Sequence, residues 1–251
     1  MKGLLLAGGI GSRLRPLTNV IPKCMVPING RPLLDIWLEF LVNAGIDEIL
    51  INTHYMASFV QEYVHKSTWH KMVTISYEET LLGTAGTILK NKYFFDKEPF
   101  FVAHADNLSR FQMSDFIDSH LSLQESIVTM MLFYTNEPEN CGIVELKDRV
   151  VHKFHEKKSG NHGNLANAAV YIFNPSIFNI LESLSLQEMD ISLDVIPLLL
   201  GQINTFLNTD YHLDIGSNKT YNQANNNFTC LAFSKLPVKA SLNEIRETTP
   251  L

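Results

Sequence analysis

No apolar run in this chain comes near the roughly 18 residues that a membrane span needs. The N-terminal run, Gly3 to Ala7, is also too short for a signal-peptide core. No membrane partner is expected. Positive charge is scarce as well: 20 Lys and Arg stand against 26 Asp and Glu, a formal net charge of −6. Without a global basic field, nucleic acid is not the expected partner, and any anion site has to be built locally. Cysteine is scarcer still. Cys24, Cys141 and Cys230 are far apart and odd in number, which is neither a disulfide framework nor a zinc pattern and suits a reducing cytosol. There is no internal repeat, no low-complexity linker and no G-x-S-x-G nucleophile elbow. None of the nine histidines has the i, i+4 spacing of a metalloprotease pair, and they are read as surface or satisfied core residues without a role. What remains is an ordinary globular composition, 45% hydrophobic and 18% charged, and a cytoplasmic protein is expected.

The first half of the chain alternates strand and helix. Residues 3–7 (GLLLA) form a continuous apolar run, as in a strand buried on both faces. Leu33, Leu34, Trp37, Leu41 and Ala44 recur at helical spacing, with Gly45 as the C-cap. Strands are predicted at 48–53, 73–77 and 100–104, with helices at 56–66 and about 84–92 between them. This pace argues for a parallel sheet covered by helices. In the second half, strands at 126–134, 142–146, 149–154 and 168–173 have short connections and should add mixed or antiparallel pairing. Helices near 176–184 and 192–200 follow, and a last one starts within 216–228. The expectation is an α/β fold with a Rossmann-like mixed, mainly parallel sheet flanked by helices. It forms a single domain over 1–228, and 229–251 is a tail of uncertain role.

The first loop carries the chemistry. It reads LAGGIGSRLRPLTNVIPKCMVP from Leu6. A dinucleotide fingerprint would need glycine where Leu14 stands and an acidic residue closing the second strand, which instead ends Asn52-Thr53-His54. A P-loop would need G-K-[ST], which is absent. Glycines alone would fit an ordinary tight turn. Arg13, Arg15 and Lys23 change the balance, because they put three cations within eleven residues of an acidic protein. Glycine lets backbone N–H groups approach an anion, arginine offers a forked donor set, and lysine a mobile charge. Pro16, Pro22 and Pro27 stiffen the segment. A rigid cationic loop of this kind suits a triphosphate.

With these residues in place, the chain resembles the sugar-1-phosphate nucleotidylyltransferases, whose pattern is G-G-x-G-x-R-L-x-P-L-T followed by P-K-P-M-x-P. Later stretches agree in order: YEETLLGTAG (77–86), HADN (104–107), FHEKKSG with NLANAAVYIF (154–173), and HLDIGSNKTY (212–221). The resemblance covers about residues 1–228. It implies the reaction of an NTP with a sugar 1-phosphate, giving an NDP-sugar and pyrophosphate, with Mg²⁺. Carried over, Leu6, Ala7, Gly8, Gly9, Gly11, Ser12, Arg13, Lys23, Glu78, Gly83, Thr84 and Asp106 would bind the nucleotide. Of these, Arg13 and Lys23 would be catalytic, neutralising the triphosphate. Asn107, Gly142, Glu156, Lys157 and Asn167 would hold the sugar phosphate.

Asp106 and Asp214 would hold the metal. On the residues alone, Asp106 also fits an Asx turn and Asp214 a helix-cap neighbour, and spacing does not say whether they meet. Asp106 does follow a buried strand, and ligands of open α/β sheets bind at strand C-terminal ends. The chain departs from the pattern at Cys24, at His104-Ala105 and at Lys158, none of which removes a needed charge. Glu78 stands where users of thymidine or uridine triphosphates often have glutamine. A carboxylate only accepts, which suits the adjacent N1–H and N2–H₂ donors of guanine. GTP is therefore the expected nucleotide, with mannose 1-phosphate or a heptose 1-phosphate as acceptor, as in the GTP-using members that the chain resembles. Thymidylyl, uridylyl or cytidylyl transfer, to another sugar 1-phosphate or to phosphocholine, is the alternative. A regulatory subunit that binds NDP-sugar without turnover is disfavoured, because the arginine, the lysine and both aspartates are present. Homo-oligomerisation is compatible with the sequence. The left-handed β-helix extension of some relatives, and with it acyl transfer, is not expected.

Overall fold

The computed structural model describes residues 1–228 apart from 96, 124, 125 and 159. The tail from 229 onward, with Cys230, lies outside the described residues. In chain order, β1 (Gly3–Leu6), β2 (Pro27–Ile28), β3 (Arg31–Pro32) and α1 (Leu33–Asn43) come first. They are followed by β4 (Ile49–Thr53), α2 (Ala57–Lys66), β5 (Val73–Tyr77), α3 (Gly83–Lys90), β6 (Phe100–His104) and β7 (Asn107–Arg110). The second half has α4 (Met113–Leu121), β8 (Val128–Tyr134), β9 (Gly142–Lys147), β10 (Val150–Glu156) and β11 (Leu165–Phe173). It ends with α5 (Ile177–Leu184), β12 (Ile203–Leu207), β13 (Tyr211–Asp214) and α6 (Asn218–Phe228). These elements make a mixed α/β fold. They group into two compact units interleaved along the chain. One comprises Met1–Leu4, Thr80–His104 and Ser109–His212, and the other Leu5–Glu79, Ala105–Leu108 and the segment from Leu213.

In the unit that begins at Leu5, β4 pairs parallel with β5 from Ile49↔Val73 to Thr53↔Tyr77. All five residues of β4 are buried, the apolar Ile49, Leu50 and Ile51 together with the polar Asn52 and Thr53. Helix α1 buries Leu33, Leu34, Trp37, Leu38 and Leu41, the stripe expected from helical spacing. The same helix buries Asp35 and Glu39. Arg31 meets both, at 2.6 Å from Asp35 Oδ2 and 2.5 Å from Glu39 Oε2, so neither carboxylate is left without a counter-charge. Strands β2 and β3 form a hairpin closed by Asn29-Gly30, both with positive φ, a pairing that favours a two-residue turn.

In the other unit the strand order is β6-β11-β8-β12-β10-β9. Strand β11 runs antiparallel to β6 and β8, β10 antiparallel to β9, and β12 parallel to β8. This is the mixed pairing expected for the second half. A stack of Phe95, Phe100, Phe173 and Phe178 fills part of its core, with the Phe95 and Phe100 ring centroids 4.2 Å apart. One expected helix differs. Residues 191–195 form a π turn and 196–199 a 3-10 turn in place of a helix over 192–200. Pro197 has no N–H to continue an α ladder, and the Asp190 side chain instead accepts from Ser192 and Leu193 N–H. No helix among the described residues is long and apolar enough to cross a membrane.

Candidate active site

The glycine loop leaves β1 and is held from below. Ala7 N–H donates to Asn52 Oδ1 at 2.7 Å, and Asn52 Nδ2 donates to Glu78 Oε1 at 3.2 Å. Asn52 therefore ties the ends of β1, β4 and β5, which carry Ala7, Asn52 and Glu78. Glu78 is itself 2% exposed, with its N–H on Thr53 O and its carbonyl against His54 Nδ1. Leu6, Ala7 and Gly8 are buried, while Gly9, Ser12 and Arg13 are exposed. Gly11 has φ +68, and a Cβ there would lie 2.9 Å from Lys23 Cβ and 3.0 Å from Thr18 Cγ2. Glycine at 11 thus lets the loop fold down onto the Lys23 stem. Thr18 fixes this turn, its hydroxyl donating to Gly11 O at 2.7 Å and its carbonyl accepting from Tyr55 OH.

Lys23 is the buried cation of the group. Its Nζ stands 2.5 Å from Asp106 Oδ2 and 3.5 Å from Asp214 Oδ1. The fold therefore brings together two carboxylates that lie 108 residues apart in sequence (214 − 106). Asp106 follows β6, and Ala105 N–H on Leu6 O and Ile215 N–H on Asp106 O seat that turn. Arg13 joins them: a Cβ on Gly216 would lie 2.8 Å from Asp214 Oδ2 and 3.2 Å from Arg13 Nη2. Partial desolvation of the half-exposed Asp214 carboxyl and the Asp106 carboxylate push it above its ordinary range, against the pull of Lys23 and Arg13. Burial works to lower the Lys23 ammonium, but Asp106 and Asp214 outweigh it, so its pKa stands above the ordinary value. Next to Lys23, burial pushes the Cys24 thiol up to about 12, which makes it a packing residue at neutral pH. Asn107 also belongs here: it is buried, and its carbonyl accepts from Trp37 Nε1 at 2.7 Å.

The other unit holds the remaining expected residues. Gly142 pairs with Glu156 across the β9–β10 ladder. A Cβ at 142 would run into the Phe154 ring and the Glu156 carboxylate, so only glycine allows this approach. Lys157, at φ +45, turns away from β10 with its Nζ 3.2 Å from Glu156 Oε1 and its side chain 61% exposed. Asn167 sits at an irregularity in β11. Between Asn167 and Tyr171 that strand advances four residues while β8 advances two, from Leu132 to Met130. This bulge turns Asn167 so that its Nδ2 donates to Tyr171 OH at 2.7 Å and its Oδ1 accepts from Ala169 N–H. Gly83 and Thr84 open α3, where Thr84 Oγ1 donates to Asp190 Oδ2 and accepts from Ile191 N–H. Sequence reasoning missed Asn52, Thr18, Tyr171 and Asp190. Asn52 had a signal, because an asparagine closing an otherwise apolar buried strand needs buried partners.

A family model described as "Nucleotidyl transferase" matches residues 2–230. The mannose-1-phosphate guanyltransferase of Candida albicans is 31% identical over 251 residues, covering 95% of this chain and 66% of that protein. The corresponding protein of Hypocrea jecorina is 31% identical over 261 residues, covering all of this chain and 68% of that one. The chain thus spans about two thirds of the length of these curated relatives. Among solved structures, a Bacillus anthracis protein crystallised with sucrose superposes with TM-score 0.84 at 22% identity, over 94% of this chain and 98% of that one. HddC from Yersinia pseudotuberculosis, solved in complex with GMP-PN, gives TM-score 0.77 at 27% identity, over 90% and 99% of the two chains.

Proposed function

The chain belongs to the nucleotidyl transferase family, and we propose that it transfers a nucleoside monophosphate from GTP to a mannose- or heptose-type sugar 1-phosphate. The products are an NDP-sugar and pyrophosphate. The observation that carries this reading is the cluster of Arg13, Lys23, Asp106 and Asp214 beneath the glycine loop. A phosphate oxygen of the sugar attacks the α-phosphorus, the α–β bridging bond breaks, and pyrophosphate departs with the electron pair. The nucleophile is already ionised, so no general base is required. Exposed Arg13 and the loop N–H groups would receive the triphosphate, and Lys23 would neutralise charge on it. Lys157 would orient the attacking phosphate, while Glu156 and Asn167 would meet sugar hydroxyls beside the open backbone of Gly142.

Mg²⁺ is the proposed cation. The donor set fits it: two carboxylates, with Asp214 raised by desolvation and by the Asp106 carboxylate beside it, a repulsion that a cation would relieve. Bound there, the ion would add Lewis-acid neutralisation of the α-phosphate. Asp106 and Asp214 would hold it, and everything else in the step belongs to the chain's own loop and lysines. We further propose residues 1–228 as the catalytic domain of a cytoplasmic enzyme. The relatives named as guanyltransferases, and the GMP-PN complex of HddC, support guanine over other bases. Glu78 supports it too, as a buried acceptor that Asn52 holds in place.

The test is kcat/KM for GTP, dTTP, UTP, CTP and ATP with several sugar 1-phosphates, read by pyrophosphate release. GTP preference that relaxes in Glu78→Gln is expected. Preference for dTTP or UTP would overturn the carboxylate argument. An unchanged preference in Glu78→Gln would place base reading elsewhere.

A further inference from the structure

One group of histidine and carboxylate side chains among the described residues stands apart from those assigned above. Glu145, His155 and His162 each offer a ligand atom, and these three atoms lie within 4.8 Å of one another. Strand register explains part of this. Lys153 faces Glu145 across the β9–β10 ladder, and His155, two residues on, projects from the same face. His155 Nε2 lies 2.9 Å from Glu145 Oε1, and Lys153 Nζ 2.9 Å from Glu145 Oε2. His162 comes from the connection between β10 and β11, and its ring stacks on His155 with centroids 3.9 Å apart and planes at 14°. A near-parallel stack at this distance is not the arrangement ring pairs favour on their own. The ligand atoms of both imidazoles and the carboxylate still gather within 4.8 Å, and rotation of the His162 ring would turn its in-plane lone pair toward the other two.

We propose that Glu145, His155 and His162 bind one divalent transition-metal ion of the zinc class, which pins the His162 stretch to the β9–β10 hairpin. Zinc takes nitrogen and carboxylate oxygen at about 2.0–2.2 Å, so two ligands on one tetrahedral ion stand about 3.3 Å apart. His155 Nε2 and Glu145 Oε1, 2.9 Å apart, already stand near that separation. Loading removes the proton between His155 Nε2 and Glu145, to Nδ1 or to solvent, and turns a donor–acceptor pair into two ligands. Lys153 then remains on the outer oxygen, the usual orienting partner of a ligating carboxylate. Hydrogen bonds from Lys153 and His155 already hold the Glu145 carboxyl below its usual range, so it is anionic at neutral pH. The ion class follows from the donors. Two imidazoles select zinc, cobalt or nickel over magnesium, whereas Asp106 and Asp214 offer only oxygen.

The test uses the full chain, freed of metal by chelation, with Zn²⁺ affinity read by competition with a chromophoric chelator in excess Mg²⁺. One Zn²⁺ per chain is expected. His162→Ala and His155→Ala should each weaken binding at least about tenfold, with circular dichroism confirming the fold. Asp214→Asn should bind as wild type, and His162→Cys, which supplies another zinc ligand, should keep binding. If His155→Ala does not fold, His162→Ala decides. Wild type that binds no Zn²⁺ in excess Mg²⁺, histidine variants that bind as wild type, or loss of the ion in Asp214→Asn would each overturn the site.

Discussion

Lys23→Met separates two roles that the structure gives to one ammonium group. Nζ lies 2.5 Å from Asp106 and 3.5 Å from Asp214. At an effective permittivity of about 20, each such contact is worth roughly 5–7 kcal/mol of gross attraction. Much of that is offset by burying the lysine, whose side chain is only 10% exposed. Asp214 keeps half its exposure, so solvent screens its share further. A net effect of about 2 kcal/mol is a fair working value, equal to roughly thirtyfold in an equilibrium constant. Methionine preserves the packing under Gly11 and removes the charge. The two carboxylates then lack their internal counter-ion, and their affinity for an added divalent cation should rise about thirtyfold. Turnover should move the other way. Losing one charge-assisted contact to the triphosphate should lower kcat/KM for GTP about 10- to 100-fold. Calorimetric titration of the nucleotide-free protein with Mn²⁺, beside a pyrophosphate-release assay, measures both. Unchanged or weaker cation binding would refute the reading of Lys23 as the resting counter-ion of the pair.

Asp106→Asn and Asp214→Asn should each abolish turnover without unfolding the chain, because an amide cannot balance the cation; near wild-type rates at limiting Mg²⁺ would remove that aspartate from the site. Lys157→Ala should raise KM for sugar phosphate more than for GTP, and Lys23→Met the reverse; equal effects on both substrates would end this division. Removing Mg²⁺ should weaken GTP binding, measured calorimetrically, by more than tenfold, and equal affinity with and without the ion would contradict the balance of two cations against two carboxylates at Arg13, Lys23, Asp106 and Asp214. Burial lowers the pKa of His120, so below pH 6.5 the unfolded chain takes up a proton that the folded chain refuses. Stability is therefore present above that pH and falls as pH drops, by about 1.4 kcal/mol per pH unit until the folded group titrates. His120→Gln should flatten this part of the urea-unfolding profile, and a wild-type slope in the variant would show that the group does not couple to folding.

Where burial is written as an uninterrupted apolar run, the strands β1 and β6 stand where the sequence puts them. Helix α4 was not legible because its buried face carries Ser119 and His120 as well as Met113 and Phe116. These polar groups are satisfied at a distance, by Thr205 O for Ser119 and by Thr129 and Asn174 for His120. No local pattern announces such partners. Asp35 and Glu39 would likewise weaken the apolar stripe of α1, and only the fold reveals that Arg31 neutralises both.

The site divides in the same way. Glycines, Arg13 and Lys23 are legible because they are close in sequence and their chemistry is local. The meeting of Asp106 with Asp214, and the Asn52 bridge from Ala7 to Glu78, depend on tertiary structure. That dependence changes the meaning of Lys23. Read from the sequence, it is a triphosphate contact; in the fold it is first the partner of two carboxylates. Arg13, Lys23, Asp106 and Asp214 sum to no net charge. A triphosphate bound there alone would therefore meet as much repulsion from the aspartates as attraction from the cations. With a divalent ion held by Asp106 and Asp214, the aspartates would have their counter-charge and Lys23 could turn to the phosphates. On the proposed assignment the carboxylates would thus make nucleotide binding conditional on the metal, with the buried lysine pairing them until it comes.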